Sequence, residues 1–310
     1  MEQYDLIIIG GSAAATTAGL YAARRNLNFK IITKEFGGEV ATSGEIGNWP
    51  GDAQTDGLTL AQRFRDHLDH YQAPIEEGVW VERVVVQPDG TFAILGKDFN
   101  GEATSASGRS VIVATGAHPR ELTIPGEKEL RNKGVSYCTT CDGPLFVGKT
   151  TTVVGGGNSA LESGLMLADI CQQVYMINKN SQFKGDAVLL EKLQAKPNVK
   201  IIYNVLASAV VGNGFVSALR YKDQAGAEQE LKTDGIFVHV GMMPNSNIVP
   251  AEVKKNQYGE IVVNENCETN LPGLYVAGDV SNVPFKQIVI AAGMGCVATL
   301  SAVQYLNRAK

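Results

Sequence analysis

The chain has 310 residues, 44% hydrophobic and 19% charged, with a formal net charge of -5. This length exceeds what one hydrophobic core usually organises, so two domains are expected. The mild acidity argues against nucleic acid or an anionic membrane as the main partner, though not against an acidic substrate at a local basic patch.

Met1-Glu2-Gln3-Tyr4-Asp5 lacks the basic and apolar regions of a secretory signal, and a cytoplasmic protein is expected. Leu6-Ile7-Ile8-Ile9 then runs into Gly10-Gly11, the pattern of a buried parallel strand entering a tight turn. Small residues from Ser12, Ala13 and Ala14 to Ala18 lead into a helix reaching Arg25, and residues 29–33 give a second strand. The same βαβ grammar recurs at Thr151-Thr152-Val153-Val154, Gly155-Gly156-Gly157, a helix from Asn158 to about Ala168, and a strand over residues 173–177. Two such units predict two nucleotide-binding domains.

Residues 110–116 and 273–279 are both apolar strands stopping at glycine, and the second lies far beyond the central unit. The N-terminal domain is therefore expected to comprise residues 1–117 and 244–310. Residues 118–243 would be inserted through linkers near 118–124 and 243–247. The expected fold class is α/β, with two Rossmann-like, three-layer domains, the second inserted in the first. The apolar run 288–300 is broken by glycine and shorter than the roughly 18 to 20 residues of a membrane span, so it reads as a buried helix.

A G-x-G-x-x-G turn brings pyrophosphate close to a helix N-terminus, where free N–H groups and the dipole favour anions. Gly155-Gly156-Gly157-Asn158-Ser159-Ala160 fits the G-x-G-x-x-A form fully, whereas the first turn has Ser12 and Ala15 where the second and third glycines belong. Either motif alone is compatible with an ordinary glycine turn. Cys138 and Cys141 have the spacing of an exchangeable disulfide. Asp142 is either a proton shuttle for the departing thiolate or a turn former before Gly143-Pro144.

A zinc site would need two more ligands, and His67, His70, His118 and His239 show no partner spacing, so no metal is expected. Cys171, Cys267 and Cys296 read as inert core residues. Asp279, after Gly278, is either an N-cap for the next helix or an acceptor for a ribitol hydroxyl. Asn48-Trp49-Pro50-Gly51 reads locally as an aromatic turn, and Lys286-Gln287 as a solvated pair before Ile288.

Together these features resemble the low-molecular-weight thioredoxin reductase family across essentially the whole chain. The resemblance is carried by the first glycine turn, Gly37-Gly38, residues 45–51, Ala114-Thr115-Gly116, Cys138-Thr139-Thr140-Cys141-Asp142-Gly143, residues 155–162, Ala277-Gly278-Asp279 and Lys286-Gln287. Residues 141–146 and 267–270 are also similar to the flavoprotein subunit of alkyl hydroperoxide reductase. That subunit's extra N-terminal thioredoxin-like module has no counterpart in this sequence, so electrons are expected to leave to a separate protein.

The resemblance implies FAD at Gly10, Gly11, Ser12, Ala13, Ala14, Gly37, Gly38, Glu39, Asn48, Ala114, Thr115, Gly116, Gly278, Asp279, Lys286, Gln287 and Ile288. It implies NADH or NADPH at Gly155, Gly157, Asn158, Ser159, Asn178 and Lys179. It further implies a homodimer, a rotation of one domain against the other, and electron flow through FAD and the Cys138-Cys141 disulfide to a thioredoxin or glutaredoxin-like protein. In that scheme Cys138 attacks the partner disulfide, Cys141 resolves the mixed disulfide and faces the flavin, and Asp142 is acid and base.

Two departures stand out. Asn178, Lys179 and Asn180, with Lys184 later, occupy the place of the His-Arg-Arg cluster that grips a 2′-phosphate, and Glu39 stands where glutamine is usual. An amide at Asn178 can meet a ribose hydroxyl, so NADH is favoured over NADPH, with ferredoxin as a third candidate donor. A small-molecule dithiol oxidase and a flavin-binding redox sensor are the alternative functions.

Overall fold

The computed structural model describes residues 3–308. The chain divides into two compact units, one formed by Met1–His118 and Met243–Lys310 and the other by Pro119–Met242. The fold is α/β, with a parallel sheet at the centre of each unit.

In the first unit the parallel strands lie in the order Ile75–Glu77, Phe29–Thr33, Gln3–Ile9 and Ala103–Val113. The last of these is long enough to serve two neighbours. Its first half pairs antiparallel with Phe92–Lys97, and its last residues, Val111 to Val113, pair parallel with Leu274–Val276. The C-terminal part of the sequence thereby completes the N-terminal sheet. Side chains of a strand alternate between faces, and both faces here are covered. Leu6 and Ile8 pack with Ala14, Ala18, Ala298 and Ala302, whereas Ile7 and Ile9 pack with Val84, Phe92, Val111 and Leu274. Each fully buried aliphatic side chain of this kind contributes about 1.5–3 kcal/mol, so register is strongly specified.

The helix Ala13–Arg24 turns small residues inward, and Ile288–Arg308 packs against it so closely that a Cβ at Gly295 would sit 2.1 Å from the Ala14 carbonyl oxygen. This corrects the expectation of a short buried helix. The helix has 21 residues, and its buried positions are Gly295, Ala298, Thr299, Ala302 and Leu306, while Val289 and Val297 are exposed. By length and composition it is the one helix among the described residues that passes for a membrane span, yet its small-residue face is the seam of a packed core.

In the second unit five strands are all parallel, in the order Val135–Ser136, Gly235–His239, Thr150–Gly155, Gln173–Asn178 and Val199–Tyr203. Val153, Met176 and Phe237 face the helices Asn158–Ala168 and Ala187–Gln194, packing on Leu161, Leu167 and Leu193. Val154, Ile177, Ile236 and Val238 face the opposite way, onto the antiparallel strands Leu206–Asn213, Phe215–Lys222 and Glu228–Lys232 through Val210, Val216 and Leu219. Three layers result. Both glycine turns leave the C-terminal end of a strand flanked on each side by a parallel neighbour, where open α/β sheets bind ligands.

Candidate active site

The first turn gathers residues from five parts of the sequence. Gly10 has φ +130°, and a Cβ there would lie 2.2 Å from the Ala114 carbonyl oxygen, so only glycine fits. The Gly37 N–H donates to the Gly11 carbonyl at 2.7 Å, and a Cβ on Gly38 would meet the Ser12 side chain at 3.3 Å. Ser12 is the N-cap of Ala13–Arg24, but its side chain caps nothing, leaving the first N–H groups of the helix without a side-chain acceptor. Gly278, at φ +79°, faces Ala14 and Ala291. Ala15, where a third glycine belongs, is 1% exposed and packs into the core.

Asp279 sits beside this turn. It is not an N-cap, because the next helix starts only at Ile288. Its Oδ1 is buried without a hydrogen-bond partner among the described residues, and burial pushes its pKa up to about 6, with Lys286 opposing and Glu39 reinforcing the shift. A buried acceptor without a donor fits a ligand hydroxyl. Lys286 is not merely solvated: its Nζ lies 2.9 Å from Glu260 Oε1 and donates to the Ser281 carbonyl at 2.7 Å. Asn48 Nδ2 donates to Gln287 Oε1 at 3.3 Å, joining positions 239 residues apart. Thr115 and His118, where the chain leaves this unit, are both held by Asn245, which returns to it: Thr115 Oγ1 donates to the Asn245 carbonyl at 2.8 Å, and His118 Nδ1 lies 3.0 Å from Asn245 Oδ1.

At the second turn, a Cβ on Gly155 would lie 2.3 Å from the His239 carbonyl oxygen, whereas Gly157 has nothing within 4 Å. Gly157 caps the helix that begins at Asn158 without a side-chain hydrogen bond, and Asn158 and Ser159 are exposed. Asn158 is nonetheless engaged, since its Oδ1 accepts from Asp186 N–H at 2.7 Å and its Nδ2 donates to Asp186 Oδ2 at 3.1 Å. Asn178 lies under the glycine turn, its Oδ1 2.9 Å from where a Cβ on Gly156 would sit. It is 1% exposed, donates to the Gln182 carbonyl at 3.1 Å and accepts from Asn180 N–H at 3.0 Å. Its amide fixes the loop that follows the strand Gln173–Asn178. Lys179 and Lys184 remain exposed.

Cys138 and Cys141 are joined, with Cα atoms 5.3 Å apart. Cys138 caps the short helix Thr139–Asp142, its Sγ accepting from Cys141 N–H at 3.2 Å; Cys138 is half-buried and Cys141 exposed. Ser136, absent from the sequence-based candidates, donates to Asp142 Oδ2 at 2.6 Å and accepts from Cys138 N–H at 3.1 Å. Burial raises the Asp142 pKa against the opposing Ser136 bond, which shifts the carboxyl towards its protonated form. Thr139 and His239 also escape sequence reasoning: Thr139 Oγ1 lies 2.8 Å from His239 Nε2 and is hydrogen-bonded to Ser163 Oγ. Burial pushes the thiol of Cys267 up to about 11 and raises that of Cys171, consistent with inert roles. Cys296 differs from expectation in being only partly buried, beside Tyr21 of the helix Ala13–Arg24.

Comparison with known proteins agrees with this geometry. Residues 4–295 match the Pyridine nucleotide-disulphide oxidoreductase family. The chain is 40% identical over 309 residues to an alkyl hydroperoxide reductase subunit of Pseudomonas putida, covering 99% of this chain but only 59% of that protein. Thioredoxin reductase from Streptococcus pyogenes superposes with a TM-score of 0.91 at 31% identity, with 99% of each chain covered. Thioredoxin reductase from Giardia duodenalis gives 0.90 at 29% identity, covering 99% of this chain and 100% of that one. The chain therefore belongs to the pyridine nucleotide-disulphide oxidoreductase family, whose members use FAD and NAD(P)H.

Proposed function

We propose that this chain is a flavoprotein disulfide reductase passing electrons from NADH or NADPH, through FAD and the Cys138-Cys141 disulfide, to a thioredoxin-like protein. The observation that carries it is the closed Cys138-Cys141 ring beside the buried carboxyl of Asp142, in the same unit as a complete G-x-G-x-x-A turn. FAD, when bound, supplies a carrier that takes two electrons as hydride from a nicotinamide and returns them to a disulfide.

The first unit, residues 1–118 and 243–310, holds FAD. The tight turn that Gly10 and Gly11 allow against Ala114 and Thr33 would present the start of Ala13–Arg24 to the pyrophosphate, and Asp279 would accept a hydrogen bond from a ribitol hydroxyl. The second unit takes the nucleotide at Gly155 and Gly157. Lys179 and Lys184 supply point charges without the guanidinium fork suited to a 2′-phosphate, which favours NADH.

In the reduced protein the Cys138 thiolate attacks the partner's disulfide, forming a mixed disulfide and releasing one partner thiolate. Asp142 donates a proton to that thiolate, a role favoured by the upward shift of its pKa on burial. Cys141 then attacks the Cys138 sulfur, restoring the ring and releasing the partner as a dithiol. Attack by Cys138 is carried over from the family resemblance; in the oxidised ring Cys141 is the more exposed residue. A homodimer in the cytoplasm completes the proposal.

The test is parallel anaerobic titration of the purified flavoprotein with NADH, NADPH and reduced ferredoxin, followed by reduction of thioredoxin. Bleaching by NADH and turnover of thioredoxin are expected. Bleaching by ferredoxin alone would reassign the donor, and failure with every donor would point to a redox sensor. Peroxide formation from small dithiols without nucleotide consumption would indicate a dithiol oxidase.

A further inference from the structure

His239 is the last residue of the strand Gly235–His239, and its carbonyl abuts Gly155. Its ring reaches sideways to a different target. Nε2 lies 2.8 Å from Oγ1 of Thr139, the residue directly after Cys138, and Thr139 Oγ1 is also hydrogen-bonded to Ser163 Oγ on the helix that follows the glycine turn. Thr139 and Ser163 are 5% and 4% exposed, so the hydroxyls have little access to water as an alternative partner. The ring edge of His239 keeps some solvent contact, but burial pushes its pKa down to about 4, so the imidazole is neutral at ordinary pH.

This contact has a mechanical consequence for the dithiol. The segment between the cysteines holds two residues, Thr139 and Thr140, and Thr140 is exposed. Thr139 therefore fastens the segment between the cysteines to the glycine-turn helix and to the end of the strand Gly235–His239, in addition to the Ser136 bonds that hold Cys138 N–H and Asp142 on either side of it. Fastening the loop raises the effective concentration of one thiol at the other, which favours the ring over the open dithiol.

We propose that His239 is a positioning residue for the redox couple, acting through Thr139 to hold the Cys138-Cys141 loop in ring-forming geometry and so making its disulfide harder to reduce. The proposal rests on the reading of this pair as redox-active. It concerns the balance between disulfide and dithiol, and assigns His239 no contact with substrate or cofactor.

The test equilibrates the holoprotein anaerobically with glutathione redox buffers of stepped ratio. The fraction of Cys138 and Cys141 open to alkylation is read by mass. Both His239→Leu and Thr139→Val are expected to shift the midpoint towards easier reduction by about threefold to tenfold in equilibrium constant, the scale of one lost hydrogen bond; tenfold corresponds to about 30 mV for a two-electron couple. The double variant is expected to shift no further than the larger single one, because both remove the same contact. His239→Gln, which keeps a hydrogen-bonding amide, is expected to stay close to wild type.

Thr139→Val guards the test against misfolding, since it leaves His239 and the strand in place. Wild-type midpoints in both single variants would overturn the proposal while leaving the redox role of the pair intact, as would fully additive shifts in the double variant. A wild-type pair that does not titrate with glutathione at all would overturn both the redox reading and this inference.

Discussion

The two glycine turns share a backbone design and differ in how completely their polar groups are satisfied. Neither helix start has a side-chain cap, but at the first turn Asp279 Oδ1 is buried with no protein donor among the described residues. At the second turn Asn178 and Asn158 are already bonded, to Gln182, Asn180 and Asp186, and Gly157 opens onto free space. A site with an unmet buried acceptor is completed by its ligand, whereas a self-satisfied site can be filled and emptied without leaving a polar group orphaned. This difference accords with the proposed function, in which the first turn holds a resident cofactor and the second a nucleotide that comes and goes.

The largest expected effect breaks the first turn. Gly10→Ala places a Cβ against the Ala114 carbonyl at a positive φ, and should cost about 2 kcal/mol or more in strain and overpacking, seen as a lower melting temperature and loss of flavin on purification. Retention of full flavin content would show that the turn is looser than described. Gly157→Ala is the contrasting change: the melting temperature should hold, because nothing lies within 4 Å. The KM for nucleotide should rise roughly tenfold if the phosphates approach this backbone.

Asp279→Asn should weaken FAD binding by about tenfold, the difference between a charge-assisted and a neutral hydrogen bond; flavin fluorescence quenching on reconstitution of the apoprotein would measure it. The sign of the pH dependence follows from the raised pKa of about 6. A hydroxyl donor favours the carboxylate, so binding releases a proton and affinity should rise with pH up to about 6, then level off. The Asn variant should show no such slope. The smallest effect is at the second turn's exposed charges, where Lys179→Ala should raise the KM for NADPH by about twofold to threefold and leave that for NADH unchanged, as solvent screening limits a surface charge.

The strands beside the glycine turns are legible in the sequence because a parallel strand covered on two faces becomes an unbroken apolar run, as Leu6 to Ile9 do, whereas Ile75–Glu77, Val199–Tyr203 and Gly235–His239 lead into no such turn and are not among the expected strands. The C-x-x-C-D-G element is legible because its chemistry is local. Contacts across long separations are not: Thr139 and His239 are 100 residues apart, and nothing in either neighbourhood names the other. The loop bonds of Asn178 are equally hidden, because the residue type suits a ribose hydroxyl and gives no sign of its bond to the carbonyl of Gln182. The helix Ile288–Arg308 misleads because its inward face is marked by small size rather than by hydrophobicity, a signal that apolar content conceals.

In the proposed function one chain carries both a resident flavin and a redox-active Cys138-Cys141 pair. Anaerobic titration of the purified holoprotein with dithionite tests it directly, because each centre takes two electrons. Wild type should take up about two two-electron equivalents per chain, and Cys138→Ser or Cys141→Ser about one, with the flavin still reduced. Equal uptake by wild type and both variants, or a chain that purifies without flavin and cannot be reconstituted, would contradict it.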